Sequence, residues 1–273
     1  MAINVRGLGP STVESTCRVA GLGINVARAG QGQTVVYLHD ALGSWAWLPL
    51  HEALAKDYDV VVPDLPGYGT SERPTWARHA RDLAILVGLM CDELELDRPI
   101  LIGVGFGGWI AAELATMRPR QLGGLVLVGA AGLKPREGEI ADQMLRGPLR
   151  FGLGGFSGVD SFRRHFGLDG DIDDVPDGLY TLWDYATEMT ARVCWKPWMF
   201  SLELANLLPG VNVPTKVVWG AEDGLFPLDI GRQYAELVPR ATLHVADGAG
   251  HWVDIEAPQH IVDAVNELHR SAK

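Results

Sequence analysis

The run Ile100-Leu-Ile-Gly-Val-Gly-Phe-Gly-Gly-Trp109 restricts the fold more than any other part of the chain. A short apolar stretch that passes through glycines straight into small residues describes a strand buried on both faces, turning tightly into a helix. Strands of that kind belong to parallel sheets covered by helices, so the run predicts an α/β architecture. The flanking pattern agrees. Stretches of β type at Glu14 to Ala20, Ile24 to Ala29 and Thr34 to His39, separated by glycines, form an antiparallel lead-in. Alternation follows: a helix around Trp47 to Lys56, strand Asp59 to Pro63, helix Ala77 to Leu94, strand Ile100 to Val104, helix Gly107 to Met117 and strand Leu125 to Ala130. It breaks between Lys134 and Leu208, where Gly-rich and Asp-rich turns separate short helical stretches. It resumes with strand Thr215 to Gly220, helix Ile230 to Val238, strand Ala241 to Ala246 and a last helix opened by Pro258.

With 273 residues, 47% of them apolar, the chain can bury a full core as one domain with a large insertion. Its net charge of −11 and scattered basic residues argue against nucleic acid or an anionic membrane as partner. A small-molecule substrate is the partner expected. Cys17, Cys91 and Cys194 are far apart and show no metal or redox spacing, which fits a reducing compartment. Met1 to Cys17 has no apolar secretion signal and no window is long enough to span a bilayer, so the expected location is cytoplasmic.

The glycine run admits two readings. Gly103, Gly105 and Gly108 satisfy the dinucleotide fingerprint, in which glycines let the backbone approach a pyrophosphate. That reading needs an acidic residue at the end of the next strand, where this chain has Gly129-Ala130-Ala131. The other reading is a nucleophile elbow, with Gly103 and Gly107 flanking the nucleophile position as small residues.

Four further segments decide between them: Leu38-His39-Asp40-Ala41-Leu42-Gly43-Ser44, Asp64-Leu65-Pro66-Gly67-Tyr68-Gly69-Thr70-Ser71, Trp219-Gly220-Ala221-Glu222-Asp223-Gly224-Leu225-Phe226-Pro227, and Gly248-Ala249-Gly250-His251-Trp252. In this order, with the elbow, they resemble the α/β-hydrolase fold family over nearly the whole chain. The resemblance implies an α/β-hydrolase core of residues 1–133 and 209–273, with a helical cap, 134–208, between strands six and seven. It implies that His251 is a general base oriented by Asp223, and that the backbone N–H groups of Ala41 and Phe106 form an oxyanion hole. No metal or organic cofactor is implied. Trp183, Trp195, Trp198 and Trp252, with Asp40, are candidates for the active-site lining. Phe151, Phe156, Phe162 and Phe166 either line an apolar pocket or hold the cap together.

Two departures from the family matter. The nucleophile position is Gly105, which carries no side chain, so the acyl-enzyme route is closed. Asp40 stands where the family has a glycine after its histidine, and facing inward it would oppose a developing oxyanion. Three readings follow. The chain is an enzyme whose His251 and Asp223 act without a covalent intermediate, in hydrolysis, carbon–carbon cleavage, elimination or cofactor-free oxygenation. Alternatively it is a serine hydrolase disabled by a Ser-to-Gly change at 105, or a non-catalytic small-molecule binder on the same fold. Ser44 and Ser71 read as turn residues. The run Asp169 to Asp174 opens like a calcium loop but lacks its glycine and its closing glutamate.

Overall fold

The computed structural model describes Gly7, Gly9 and residues 11–271. The remaining positions, 1–6, 8, 10, 272 and 273, to which the sequence reading extends both the core and the leader-free N-terminus, lie outside the described residues. Eight strands form one sheet: β1 (Val13–Val19), β2 (Leu22–Ala29), β3 (Thr34–Leu38), β4 (Asp59–Pro63), β5 (Ile100–Val104), β6 (Gly124–Val128), β7 (Thr215–Gly220) and β8 (Ala241–Ala246). Their spatial order is β1-β2-β4-β3-β5-β6-β7-β8. β2 pairs antiparallel with β1 and β4, and from β4 to β8 every neighbouring pair is parallel.

Burial follows from that order. β4, β5 and β6 are buried at every position, because helices cover both faces of the central sheet. β1, at the edge, is mostly exposed. The helices beside the sheet are α1 (Pro49–Leu54), α2 (Ala80–Glu93) and α3 (Phe106–Met117). α2 packs with α3 on one face, and Leu83, Leu86, Val87 and Met90, at helical spacing, are buried on it. α2 begins at Ala80 rather than Ala77, because the Asp82 carboxylate accepts from the N–H groups of Arg78 and His79 and caps it there. β6 ends at Val128 rather than Ala130, because Gly129 turns the chain with φ +50°.

Between β6 and β7 run α4 (Gln143–Arg146), α5 (Pro148–Gly154), α6 (Val159–Phe166), α7 (Asp177–Cys194) and α8 (Leu204–Leu207). After β7 come α9 (Leu228–Leu237), then β8, α10 (Val253–Glu256) and α11 (Gln259–Ser271), which packs with α1. The inserted helices turn Phe151, Phe162, Phe166 and Trp183 inward, all buried. Thr190 of α7 donates to the Ala41 carbonyl at 2.9 Å and shares a 2.9 Å hydrogen bond with Tyr68, tying the insertion to two loops above the sheet. The acidic run is a turn satisfied by itself: Asp171 accepts from the Asp173 N–H, and Asp174 from the Asp171 N–H.

Candidate active site

All parallel strands end at the same edge of the sheet, so the loops after β3, β5, β7 and β8 converge there. After β5, Gly105 takes φ +51°, a conformation that side chains rarely adopt, and α3 starts at the next residue. The glycines around it are explained by packing. A Cβ on Gly103 would meet the Gly108 Cα at 2.6 Å, and one on Gly107 would meet the Leu38 carbon at 2.6 Å. These two flanking glycines let α3 press against β3 and β5.

The loop after β3 delivers Asp40. The Leu65 N–H donates to His39 Nε2 at 3.0 Å, so the proton of this imidazole sits on Nδ1 and donates to the Asp40 carbonyl at 2.7 Å. The Gly43 N–H donates to the same carbonyl at 2.9 Å. With its backbone held on that side, the Asp40 side chain turns inward over Gly105. Oδ1 accepts the Phe106 N–H at 2.5 Å, and a Cβ on Gly105 would clash with that oxygen. The Phe106 N–H, expected to serve an oxyanion, is therefore taken by a carboxylate. Ala41, the other expected donor, is wholly buried beside it.

Asp223 and His251 meet as their order in the chain implied. The Leu225 and Phe226 N–H groups each donate to Asp223 Oδ1 at 2.9 Å and fix the carboxylate, and Oδ2 lies 2.9 Å from His251 Nδ1. Nε2 then faces Asp40 Oδ2 at 3.5 Å. The glycine turn after β6 makes room for this pair, since a Cβ on Gly129 would stand 2.8 Å from His251 Nδ1. Burial pulls the His251 pKa down, but the Asp223 and Asp40 carboxylates outweigh it and raise it to about 10. The two carboxylates therefore favour the charged imidazolium form of His251.

An aromatic shell encloses the group. His251 contacts Phe226 and Trp252, with ring centroids 5.2 and 4.9 Å apart. Trp45 joins Trp252 to Trp183 at 5.4 and 5.8 Å, and Phe166 meets Trp183 edge to face at 5.7 Å. Of the four candidate lining tryptophans, Trp252 and Trp183 are in this shell. Trp198 is half-buried and donates to the Ala141 carbonyl at 3.0 Å. Trp195 is corrected: at the end of α7 it is 58% exposed and lines a different groove. That groove, about 560 Å³, runs beside Arg81, Glu113 and Lys196 and touches neither His251, Asp223 nor Asp40.

Several buried polar atoms in the shell have no hydrogen-bond partner: Asp40 Oδ2, His251 Nε2, Asp254 Oδ1 and the indole N–H groups of Trp45 and Trp183. Such atoms are costly unless a ligand meets them. Asp254 was missed in the sequence because nothing local marks it. It is reached only through Tyr37, whose hydroxyl donates to Oδ2 at 2.6 Å across the fold. Burial raises its carboxyl to about 6. A small cavity joins Tyr37, Asp40, Trp45, Trp252 and Asp254. Among the described residues, no group of three or more His, Cys, Asp or Glu side chains is arranged to hold a metal ion.

The chain as a whole is similar to known proteins. Residues 35–264 match the model of the alpha/beta hydrolase family. The chain is 30% identical over 262 residues to 2-hydroxymuconate semialdehyde hydrolase of Pseudomonas sp. strain CF600, covering 91% of each chain. It is 28% identical over 267 residues to 2-hydroxy-6-oxo-2,4-heptadienoate hydrolase of Pseudomonas putida, covering 91% of this chain and 93% of the relative. Among solved structures, a meta-cleavage product hydrolase from Pseudomonas fluorescens IP01 superposes with a TM-score of 0.75 at 24% identity, covering 95% of this chain and 98% of that one. At that identity the superposition speaks for the fold.

Proposed function

Because the chain belongs to the alpha/beta hydrolase family and is a hydrolase-type enzyme, we propose that it hydrolyses a bond beside a carbonyl group in a small, largely apolar compound, with no covalent intermediate at position 105. The observation that carries this reading is the carboxylate over Gly105: the space of a side-chain nucleophile is filled by Asp40, which the Phe106 N–H holds in place. The same observation weighs against a merely disabled serine hydrolase, in which position 105 would stand ready for a hydroxyl.

In this reading His251 moves the protons and Asp223 holds it. The two backbone donors on Asp223 keep its carboxylate aimed at Nδ1, which leaves Nε2 facing the substrate side. As an imidazolium it first gives a proton to the departing group, and then, neutral, it accepts one back. The reaction class we favour is hydrolytic carbon–carbon cleavage of an oxo compound, the class suggested by the names of the relatives. We read residues 134–208 as a cap whose Phe166 and Trp183 close an apolar pocket over the site, with the indole N–H groups of Trp45 and Trp183 meeting the substrate's oxygens. The proton transfers use only side chains of this chain, so the reading assigns no cofactor.

The test is turnover of 2-hydroxy-6-oxo-2,4-heptadienoate and of 2-hydroxymuconate semialdehyde by the purified protein and by His251→Ala. Loss of the placed imidazole should lower kcat roughly 10²- to 10⁴-fold with the fold intact by circular dichroism. An unchanged rate in the variant would remove His251 from the chemistry.

A further inference from the structure

We propose that Asp40 is the catalytic base of this enzyme: its Oδ2 takes a proton from the water that attacks the substrate carbonyl, in the place that a side chain on residue 105 would fill. The inference rests on the hydrolase reading above and names the group that activates water in it.

Two buried atoms carry the argument. Asp40 Oδ2 and His251 Nε2 both lack a hydrogen-bond partner and lie 3.5 Å apart, and Asp40 lines the small cavity that also touches Trp45, Trp252 and Asp254. Oδ1 of the same carboxylate is anchored on the Phe106 N–H at 2.5 Å, so the group is positioned by one oxygen and presents the other. His39, fixed between Leu65 and the Asp40 carbonyl, holds the backbone that aims it. Oδ2 meets His251 at ion-pair distance but makes no hydrogen bond, and a buried carboxylate oxygen without one is costly until a water or substrate supplies it.

The protons balance around this pair. Asp40 Oδ2 takes one proton of a water as the water oxygen bonds to the carbonyl carbon and the carbonyl π pair moves onto oxygen. When that pair returns, the bond to the leaving carbon breaks, and this carbon takes the proton of the His251 imidazolium. The proton on Asp40 then crosses to Nε2, which restores carboxylate and imidazolium. Water is consumed, and an acid and a protonated leaving fragment are released. Direct attack by the carboxylate is the poorer route. The tetrahedral adduct would expel the carboxylate, a far better leaving group than a carbon, and return to starting material.

The experiment is multiple turnover of 2-hydroxy-6-oxo-2,4-heptadienoate in H₂¹⁸O, with mass spectrometry of the product and of the peptide bearing Asp40, beside kinetics of Asp40→Asn. The expected result is ¹⁸O in the product acid alone, and a kcat in Asp40→Asn lowered roughly 10²- to 10⁴-fold with KM little changed. Asparagine can still accept the Phe106 N–H, so folding should hold. Label in the Asp40 carboxyl would overturn the base role in favour of a covalent one. A near-normal Asp40→Asn beside an inactive His251→Ala would overturn the role of Asp40 and leave the hydrolase reading standing. No turnover of either probe by the unaltered protein would overturn that reading itself. A measurement free of activity completes the test: ¹⁵N NMR titration of His251 in the unliganded protein should show it titrating at lower pH in Asp40→Asn than in the unaltered chain. An unmoved titration would show that the two groups do not pair.

Discussion

Asp40 Oδ1 overlaps the space that a Cβ on Gly105 would take, so in this arrangement only one of the two positions can carry a side chain there. Two departures from the family pattern that look independent along the chain are one feature in space. The absent side chain at 105 and the added carboxylate compete for one space, beside the Phe106 N–H.

This relationship makes the outcome of Gly105→Ser specific. The new side chain meets both a backbone at φ +51° and the Asp40 carboxylate, so the variant should lose about 1–3 kcal/mol of stability in urea unfolding. A fluorophosphonate should label it weakly. Adding Asp40→Gly removes the obstruction and frees the Phe106 N–H, and the double variant should label readily. Full labelling of the single variant would mean that the Asp40 carboxylate leaves this space easily.

The His251 site ties stability to pH. Its imidazolium is held by Asp223 and Asp40, with the pKa raised from 6.5 to about 10 against the pull of burial. A raised folded pKa adds stability that is fully present below the unfolded value of 6.5 and is lost as pH rises through about 10. The unfolding midpoint should therefore fall between pH 7 and 10.5, and His251→Gln should flatten that part of the curve. The alkaline limb of kcat/KM should lie near the same upper value and move to lower pH in Asp40→Asn.

Asp254 acts with the opposite sign. Burial raises its carboxyl from 3.8 to about 6, so the ionised form is penalised, and the penalty builds between those two values and is complete above 6. Asp254→Asn, which can still accept from Tyr37, should gain on the order of 1–3 kcal/mol at pH 7.5. The gain should disappear at pH 4, where the native carboxyl holds its proton for most of the time. A pH-independent difference would show that the effect comes from packing.

The two outer tryptophans should separate cleanly. Trp183→Phe removes an unpartnered indole N–H from the shell and should raise KM for an oxo substrate several-fold, about 1 kcal/mol of lost hydrogen bonding, with a smaller change in kcat. Trp195→Ala, at an exposed position away from the site, should leave both constants unchanged. Steady-state kinetics of both variants on the same probe decides the point.

Much of this protein was determined by its sequence. Apolar runs without polar interruption must be covered on both sides, which predicted β4, β5 and β6 as central parallel strands, and the element order then left little freedom in topology. The elbow's tight turn was legible in its glycines, whereas Asp223 and His251 were named only by the resemblance to the α/β-hydrolase family, and the parallel strands bring their loops together. Tertiary structure alone decided the direction of Asp40. An aspartate in a turn can point either way, and the choice depends on the Phe106 N–H, 66 positions later, which offers a charge-assisted bond only when α3 is packed above β3. It also decided the charge of His251. Two carboxylates from separate loops must close on the buried ring before their attraction exceeds the cost of burial. Asp254 was invisible for the same reason, since its partner Tyr37 lies 217 positions away and only the assembled sheet sets the two hydroxyl and carboxyl oxygens 2.6 Å apart.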